Sequence, residues 1–131
     1  MQKIDKINDM RAAAAALRSA GRRVALIPTA GALHAGHASL IRLARETGAA
    51  VVVSTFVNPL QFGPSEDLAK YPRTPSSDVL FAEKESVDVL FVPSVEEMYP
   101  RGFSTHLQEE VISKHLCGIA RPALFRGMLT C

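Results

Sequence analysis

The chain has 131 residues, 47% hydrophobic, 21% charged and 6% aromatic, and its 15 basic and 13 acidic side chains leave a formal net charge of +2. This is too apolar for an intrinsically disordered chain, and a two-charge surplus gives no electrostatic basis for a nucleic-acid partner. The length suits a single domain over residues 1–131 that buries a core without disulfide or metal staples. Cys117 and Cys131 form no CxxC pair, so reduced thiols are expected. The N-terminus carries no signal-peptide core, and its longest apolar stretch, Ala12 to Leu17, is far too short to span a bilayer. A cytoplasmic protein without a membrane partner is therefore expected.

Taken in order, Ile4, Ile7, Met10, Ala14 and Leu17 recur at helical spacing, with Gly21 as a stop. Val24-Ala25-Leu26-Ile27 reads as a strand buried on both faces and ended by Pro28. A loop from Thr29 to Gly36 follows, then a helix from about His37 to Thr47 with Leu40, Ile41 and Ala44 inward. Gly48 ends that helix. The valine-rich run Ala49 to Val57 reads as a second buried strand, which completes a βαβ unit of right-handed crossover. Beyond a proline-rich loop, Asn58 to Pro75, either Ser76 or Ser77 caps a helix reaching Glu85. Val87 to Val92 is a third strand, Glu96–Met98 a helical turn, and Glu110–Leu116 a further short element. The fold class is α/β, a partial Rossmann-like open parallel sheet. Three strands are about half of such a sheet, and the stretch Phe125 to Cys131 reads as stopping within an element.

The loop after the first strand sits where open α/β sheets bind ligands. Its Gly31 and Gly36 have the G-x-x-x-x-G spacing of a P-loop, but His37 and Ala38 stand where Lys and Ser/Thr are required. No G-x-G-x-x-G is present either. What remains is His34-Ala35-Gly36-His37 at a helix N-terminus, where imidazoles can donate to phosphate oxygens as charge develops at phosphorus. Gly36 would keep the space above the histidines open. Two exposed polar histidines are the plainer alternative. A metal pair is a third, although no carboxylate or cysteine lies nearby in sequence.

Five segments carry a family resemblance: PTAGALHAGH (Pro28–His37), FVNPLQFGPSED (Phe56–Asp67), KYPRT (Lys70–Thr74), PSVEEMYP (Pro93–Pro100) and RPALFRG (Arg121–Gly127). In order and spacing they closely resemble the pantothenate synthetase (pantoate–β-alanine ligase) family, from about Arg23 onward. The resemblance implies an HxGH nucleotidyltransferase-type fold and a ligase that uses ATP with Mg2+ carried on the nucleotide. Pantoate carboxylate attacks the α-phosphorus, pyrophosphate leaves, and the amine of β-alanine displaces AMP from pantoyl adenylate.

By the same resemblance His37 and His34 are the catalytic pair, His37 as proton donor. The stretch Ala30, Gly31, Ala32, Leu33, His34, Ala35, Gly36 and His37 lines the ATP phosphates. Gln61 binds pantoate and receives β-alanine, while Asn58 either joins it or holds the loop. No metal-ligand set is implied, and a homodimer is. Tyr71 and Arg73 serve as pocket wall and subunit contact or as loop structure; His106 and His115 fall outside the motifs and read as surface residues. The sequence departs from the family at Ala30 (usually methionine), Leu124 (usually histidine) and Cys117 (usually glutamate). The family also continues for about as much sequence again, including a lid domain, so this chain corresponds to its first half. The alternative is a nonenzymatic half-Rossmann unit that binds nucleotide weakly or dimerises.

Overall fold

The fold was determined as a computed structural model that describes residues 1–64 and 66–131; Ser65, inside the FVNPLQFGPSED segment, lies outside the described residues. Four parallel strands, β1 (Gln2–Ile4), β2 (Val24–Thr29), β3 (Ala50–Thr55) and β4 (Val89–Phe91), form one sheet in the order β1-β4-β3-β2. The helices are α1 (Ile7–Ser19), α2 (Ala35–Glu46), α3 (Pro75–Lys84), α4 (Val95–Met98), α5 (Cys117–Ala120) and α6 (Ala123–Thr130). The expected open parallel α/β sheet is present, with one more strand than its three apolar runs announced.

That additional strand, β1, takes Ile4 away from the helix to which spacing assigned it. Ile4 packs with Val52 and Val89 on one face of the sheet, under Met10, Ala13 and Leu17 of α1. Lys6 gives α1 no side-chain cap. Instead Glu97 of α4 accepts the Ile7 N–H at 2.9 Å and pairs with Lys6 at 3.3 Å. That backbone bond is the main reason the Glu97 carboxyl titrates below its ordinary range.

The larger core fills the other face. Ile27, Ile41, Val51, Val53, Ala82, Val87 and Leu90 pack together between the sheet, α2 and α3. Ile41, Leu90, Val51 and Val53 are fully inaccessible. Each such aliphatic contributes about 1.5–3 kcal/mol. Leu40, expected inward, is 51% exposed, because α2 turns only the Ala38–Ile41–Ala44 stripe to the sheet.

Two expectations about β2 also change. It runs through Pro28 to Thr29, and it is an edge strand with Leu26 61% exposed, not a strand buried on both faces. The Arg23 and Thr29 carbonyls accept N–H groups of Ala50 and Phe56, so odd-numbered residues face β3. Pro28 therefore directs its missing donor to the open edge, where no ladder bond is lost. Beyond α4, the segment expected at Glu110–Leu116 is a single 3-10 turn, Ile112–Lys114. No helix among the described residues is long and apolar enough to cross a membrane.

Candidate active site

Two loops leave the carboxyl ends of the adjacent strands β2 and β3. The first, after β2, enters α2 through His34, which caps the helix. The Gly36 N–H donates to His34 Nδ1 at 3.1 Å, and the His34 N–H donates to His37 Nδ1 at 3.2 Å. This is a capping box made of imidazoles instead of the usual hydroxyl and carboxylate. A backbone N–H can only donate, so both Nδ1 atoms are unprotonated and each ring carries its hydrogen on Nε2. The rings lie 4.1 Å apart and tilted by 42°. Burial, chiefly, lowers the His37 pKa below its ordinary value; His34 adds to the shift and Asp78 opposes it.

The turn ahead of the histidines is unusual. Gly31 (φ +81°) and Ala32 (φ +51°) are both left-handed, a conformation that costs a non-glycine residue about 1–2 kcal/mol. Asp78, buried at the start of α3, holds it in place. Its carboxylate accepts the Ala32 N–H at 3.1 Å, the Leu33 N–H at 2.8 Å and the Thr74 hydroxyl at 3.2 Å. Thr29 anchors the preceding residue: its hydroxyl accepts the Gly31 N–H and donates to the Ser54 carbonyl. The N–H groups of Ala32 and Leu33 are thus already used, and the histidine Nε2–H groups are side-chain donors the loop still offers. Gly36 serves the cap directly, because a Cβ there would meet His34 Cε1 at 2.9 Å. It accommodates the neighbouring ring where the sequence reading had it leaving room for a ligand.

The second loop, after β3, makes a 3-10 turn, Pro59–Gln61, capped by the Asn58 carboxamide. Asn58 is 2% exposed and committed to the protein. Its Oδ1 accepts from the Leu60 N–H and from Tyr99 Oη, each at 3.0 Å, and its Nδ2 donates to the Gly127 carbonyl at 2.9 Å. Asn58 therefore holds the loop, and it also lines the groove beside Gln61. Tyr99 makes this contact with a desolvated hydroxyl, whose pKa is pushed up to about 12 by burial and the neighbouring Cys131.

α6 seats on the same turn. A Cβ on Gly127 would fall 2.4 Å from the Leu60 carbonyl, so only glycine allows this approach. Arg121 pairs with Glu66, donates to the Gln61 carbonyl at 3.3 Å, and lies 5.7 Å over the Phe62 ring. Two motifs far apart in sequence are therefore one structural unit. Tyr71 stacks edge-on against Phe62, and Arg73 donates to the Leu68 carbonyl, so both act within the loop. His106 and His115 are exposed, as expected.

Between the two loops and α1 lies a groove of about 660 Å³. Met10, Leu26, Phe91, Met98 and Met128 supply apolar wall, and Gln61 is among its few polar side chains. Within residues 30–37, Ala30 lines the groove and the histidines do not. Of the three departures, Ala30 is thus in the groove wall, Leu124 is half-buried in α6 outside it, and Cys117 is exposed at the start of α5. Among the described residues, no group of three or more His, Cys, Asp or Glu side chains is placed to hold a metal. Asp78, Arg121 and Gly127 carry the site geometry, yet sequence reading gave none of them a role in it. The only signal was their presence in or beside the recognised segments.

Comparison with known proteins agrees with this fold. The chain is 50% identical over 130 residues to the pantothenate synthetase of Thermotoga petrophila and 49% identical to that of Koribacter versatilis, in each case over 99% of this chain. A crystal structure of the Thermus thermophilus pantothenate synthetase superposes with a TM-score of 0.85 at 42% identity. The pantoate-beta-alanine ligase of Francisella tularensis, complexed with beta-gamma ATP and beta-alanine, superposes with a TM-score of 0.92 at 37% identity. The chain covers 46% of the Thermotoga and Thermus proteins, 45% of the Koribacter one and 50% of the Francisella one, half their length or less. With residues 2–131 also matching the family description Pantoate-beta-alanine ligase, this chain belongs to the pantoate–β-alanine ligase family.

Proposed function

We propose that these residues form the nucleotide- and pantoate-handling part of an ATP-dependent ligase that joins pantoate to β-alanine. The observation that carries this reading is the placement of the histidine pair and of Gln61 on loops from the carboxyl ends of adjacent strands, β2 and β3. In the reaction, a pantoate carboxylate oxygen bonds to the α-phosphorus of ATP as the bond to pyrophosphate breaks. The β-alanine amine then attacks the acyl carbon, AMP leaves, and the amine gives up a proton. Such chemistry needs aligned reactants and donors facing developing charge more than it needs a protein nucleophile.

Neutral imidazoles suit that task. His34 and His37 present Nε2–H to phosphate oxygens, with His37 the hydrogen-bond donor to the charge that develops as pyrophosphate leaves. Gln61, whose amide both donates and accepts, suits the pantoate carboxylate and hydroxyl and the incoming amine. Magnesium enters on the nucleotide. Self-association belongs to the same reading, since Leu107, Val111, Ile112, Leu116 and Ile119 expose apolar side chains along one short segment. A cytoplasmic setting fits a ligase of metabolites that uses ATP.

The test is titration of the 131-residue chain with Mg–ATP, followed by amide and imidazole NMR, with pantoate-dependent pyrophosphate release assayed in parallel. Nucleotide binding that shifts signals at residues 30–37, with little or no pantothenate formed by this chain alone, is expected. Absence of any ATP-dependent shift would sink the reading. Substantial pantothenate synthesis would overturn the restriction to a handling role.

A further inference from the structure

We propose that Asp78 is a positioning residue for the histidine pair, fixing through the backbone of Ala32, Leu33 and the cap residue His34 which nitrogen of the His37 imidazole faces the nucleotide. The inference rests on the nucleotide reading above and extends it to a residue on a different element. Asp78 touches neither ring within hydrogen-bonding distance; its oxygens are filled by two loop N–H groups and the Thr74 hydroxyl. Those two N–H groups belong to the residues just before His34, one of them in the left-handed conformation. A left-handed alanine persists only where its surroundings over-determine it, and here the buried carboxylate does so. The next residue is the helix cap itself, whose own N–H fixes His37 Nδ1.

The chain of contacts is therefore short: carboxylate, loop amides, cap residue, second imidazole. If the clamp opens, the turn at Gly31–Ala32 relaxes, the His34 N–H loses its aim, and His37 is free to carry its hydrogen on either nitrogen. Helix α2 itself does not depend on the clamp, because Ile41 and Ala44 anchor it to the sheet. The position also fits Asp78, since a carboxylate in the first turn of α3 is favoured by the helix dipole.

The experiment compares the full chain with Asp78→Asn and Asp78→Glu by long-range 1H–15N NMR of the histidine rings, without and with ATP. In the unsubstituted chain both rings should report Nε2–H with unprotonated Nδ1. Asp78→Asn, which can accept only one of the two loop N–H groups well, should mix the His37 tautomers and weaken ATP binding about tenfold, the equivalent of one charge-assisted hydrogen bond. The melting transition and the amide signals of the Pro59–Gln61 turn should stay close to those of the parent. Asp78→Glu should restore part of the tautomer preference; a variant that does not fold is set aside in favour of it. Unchanged tautomers and unchanged ATP affinity in a folded Asp78→Asn chain would overturn the proposal. A parent chain that keeps its tautomers but binds no ATP would instead remove the nucleotide reading.

Discussion

The two loops that carry the candidate site are built in opposite ways. The histidine loop is closed mainly by its own neighbours: Thr29 holds Gly31, and His34 and His37 cap each other within four residues. Its one remote clamp, Asp78, leads the helix of the next crossover. The glutamine turn depends on segments much further along the chain, through Asn58 to Gly127, Glu66 to Arg121, and Asn58 to Tyr99. Substitution within the histidine loop should therefore change chemistry more than stability. At the glutamine turn a distant substitution should move the site by undocking a helix.

The largest effect should come from Gly127→Ala. Its Cβ would sit 2.4 Å from backbone atoms of Leu60, and backbone cannot swing aside as a side chain can. We expect α6 to lift, at a cost of about 3 kcal/mol from overpacking. Hydrogen exchange would show the Leu60 and Gln61 amides deprotected while those of β3 stay protected. Equal deprotection of β3 would mean that the two regions are not separable.

Next is Asn58→Ala, which strands the Tyr99 hydroxyl and the Leu60 N–H and frees the Gly127 carbonyl. A loss of about 2 kcal/mol is expected by urea unfolding, the range for a buried polar group left unpaired. Loss of the Asn58 hydrogen bond, which lowers the Tyr99 pKa, raises it slightly, while looser packing brings it down from its value near 12 by more, so a net fall is expected. A spectrophotometric titration unchanged from the parent would argue that α6 holds the turn without Asn58.

Gly36→Ala should sharpen the contrast through its small net stability change. Alanine is favoured over glycine in a helix by up to about 1 kcal/mol, while loss of the His34 cap costs about the same. A melting temperature within a few degrees of the parent is expected, together with loss of the fixed His34 tautomer. A large drop in melting temperature would show that the cap supports the fold as well as the site.

The smallest effect concerns pH. The His37 pKa is lowered in the folded chain, so below its ordinary value of 6.5 the unfolded chain binds more protons. That contribution to stability is complete above pH 6.5 and is lost as pH falls from there through the folded value. The charged and titratable groups acting on His37 are His34, which deepens the shift, and Asp78, which opposes it. The urea midpoint should fall between about pH 7 and pH 5 by less in His37→Gln than in the parent. Parallel decline of both would assign the pH response elsewhere.

The same contrast explains what could be read from the sequence. The continuous apolar runs at Val24 and Ala49 announce β2 and β3, and Gly31 and Gly36 announce the loop that joins β2 to α2, because each signal is local. Asp78 carries no such signal, because its partners lie 45 and 46 residues away and nothing in Ser76-Ser77-Asp78 indicates them. β1 escaped notice because Gln2-Lys3-Ile4 is short and mostly polar, and it becomes a strand only by pairing with β4. Phe125 to Cys131 reads only as an unfinished element and not as a helix, because Pro122 provides no side-chain cap; α6 is stabilised by docking on the Pro59–Gln61 turn. Leu40 reads as inward and is exposed, because helical spacing gives a stripe without saying how wide the neighbouring surface is.

The proline in β2 has a consequence for how chains meet one another. Even-numbered residues of β2 face outward, so the free border of the sheet offers peptide donors at Val24 and Leu26 and none at Pro28. An arbitrary extended segment adding there would find its hydrogen-bond ladder cut short beside the histidine loop. Bare sheet borders are the usual starting points of edge-to-edge aggregation. Within these residues Pro28 leaves no donor at the end of β2 nearest the histidine loop, so Pro28→Val should make the 131-residue chain measurably more prone to self-stacking, by light scattering, while leaving the β2–β3 ladder whole.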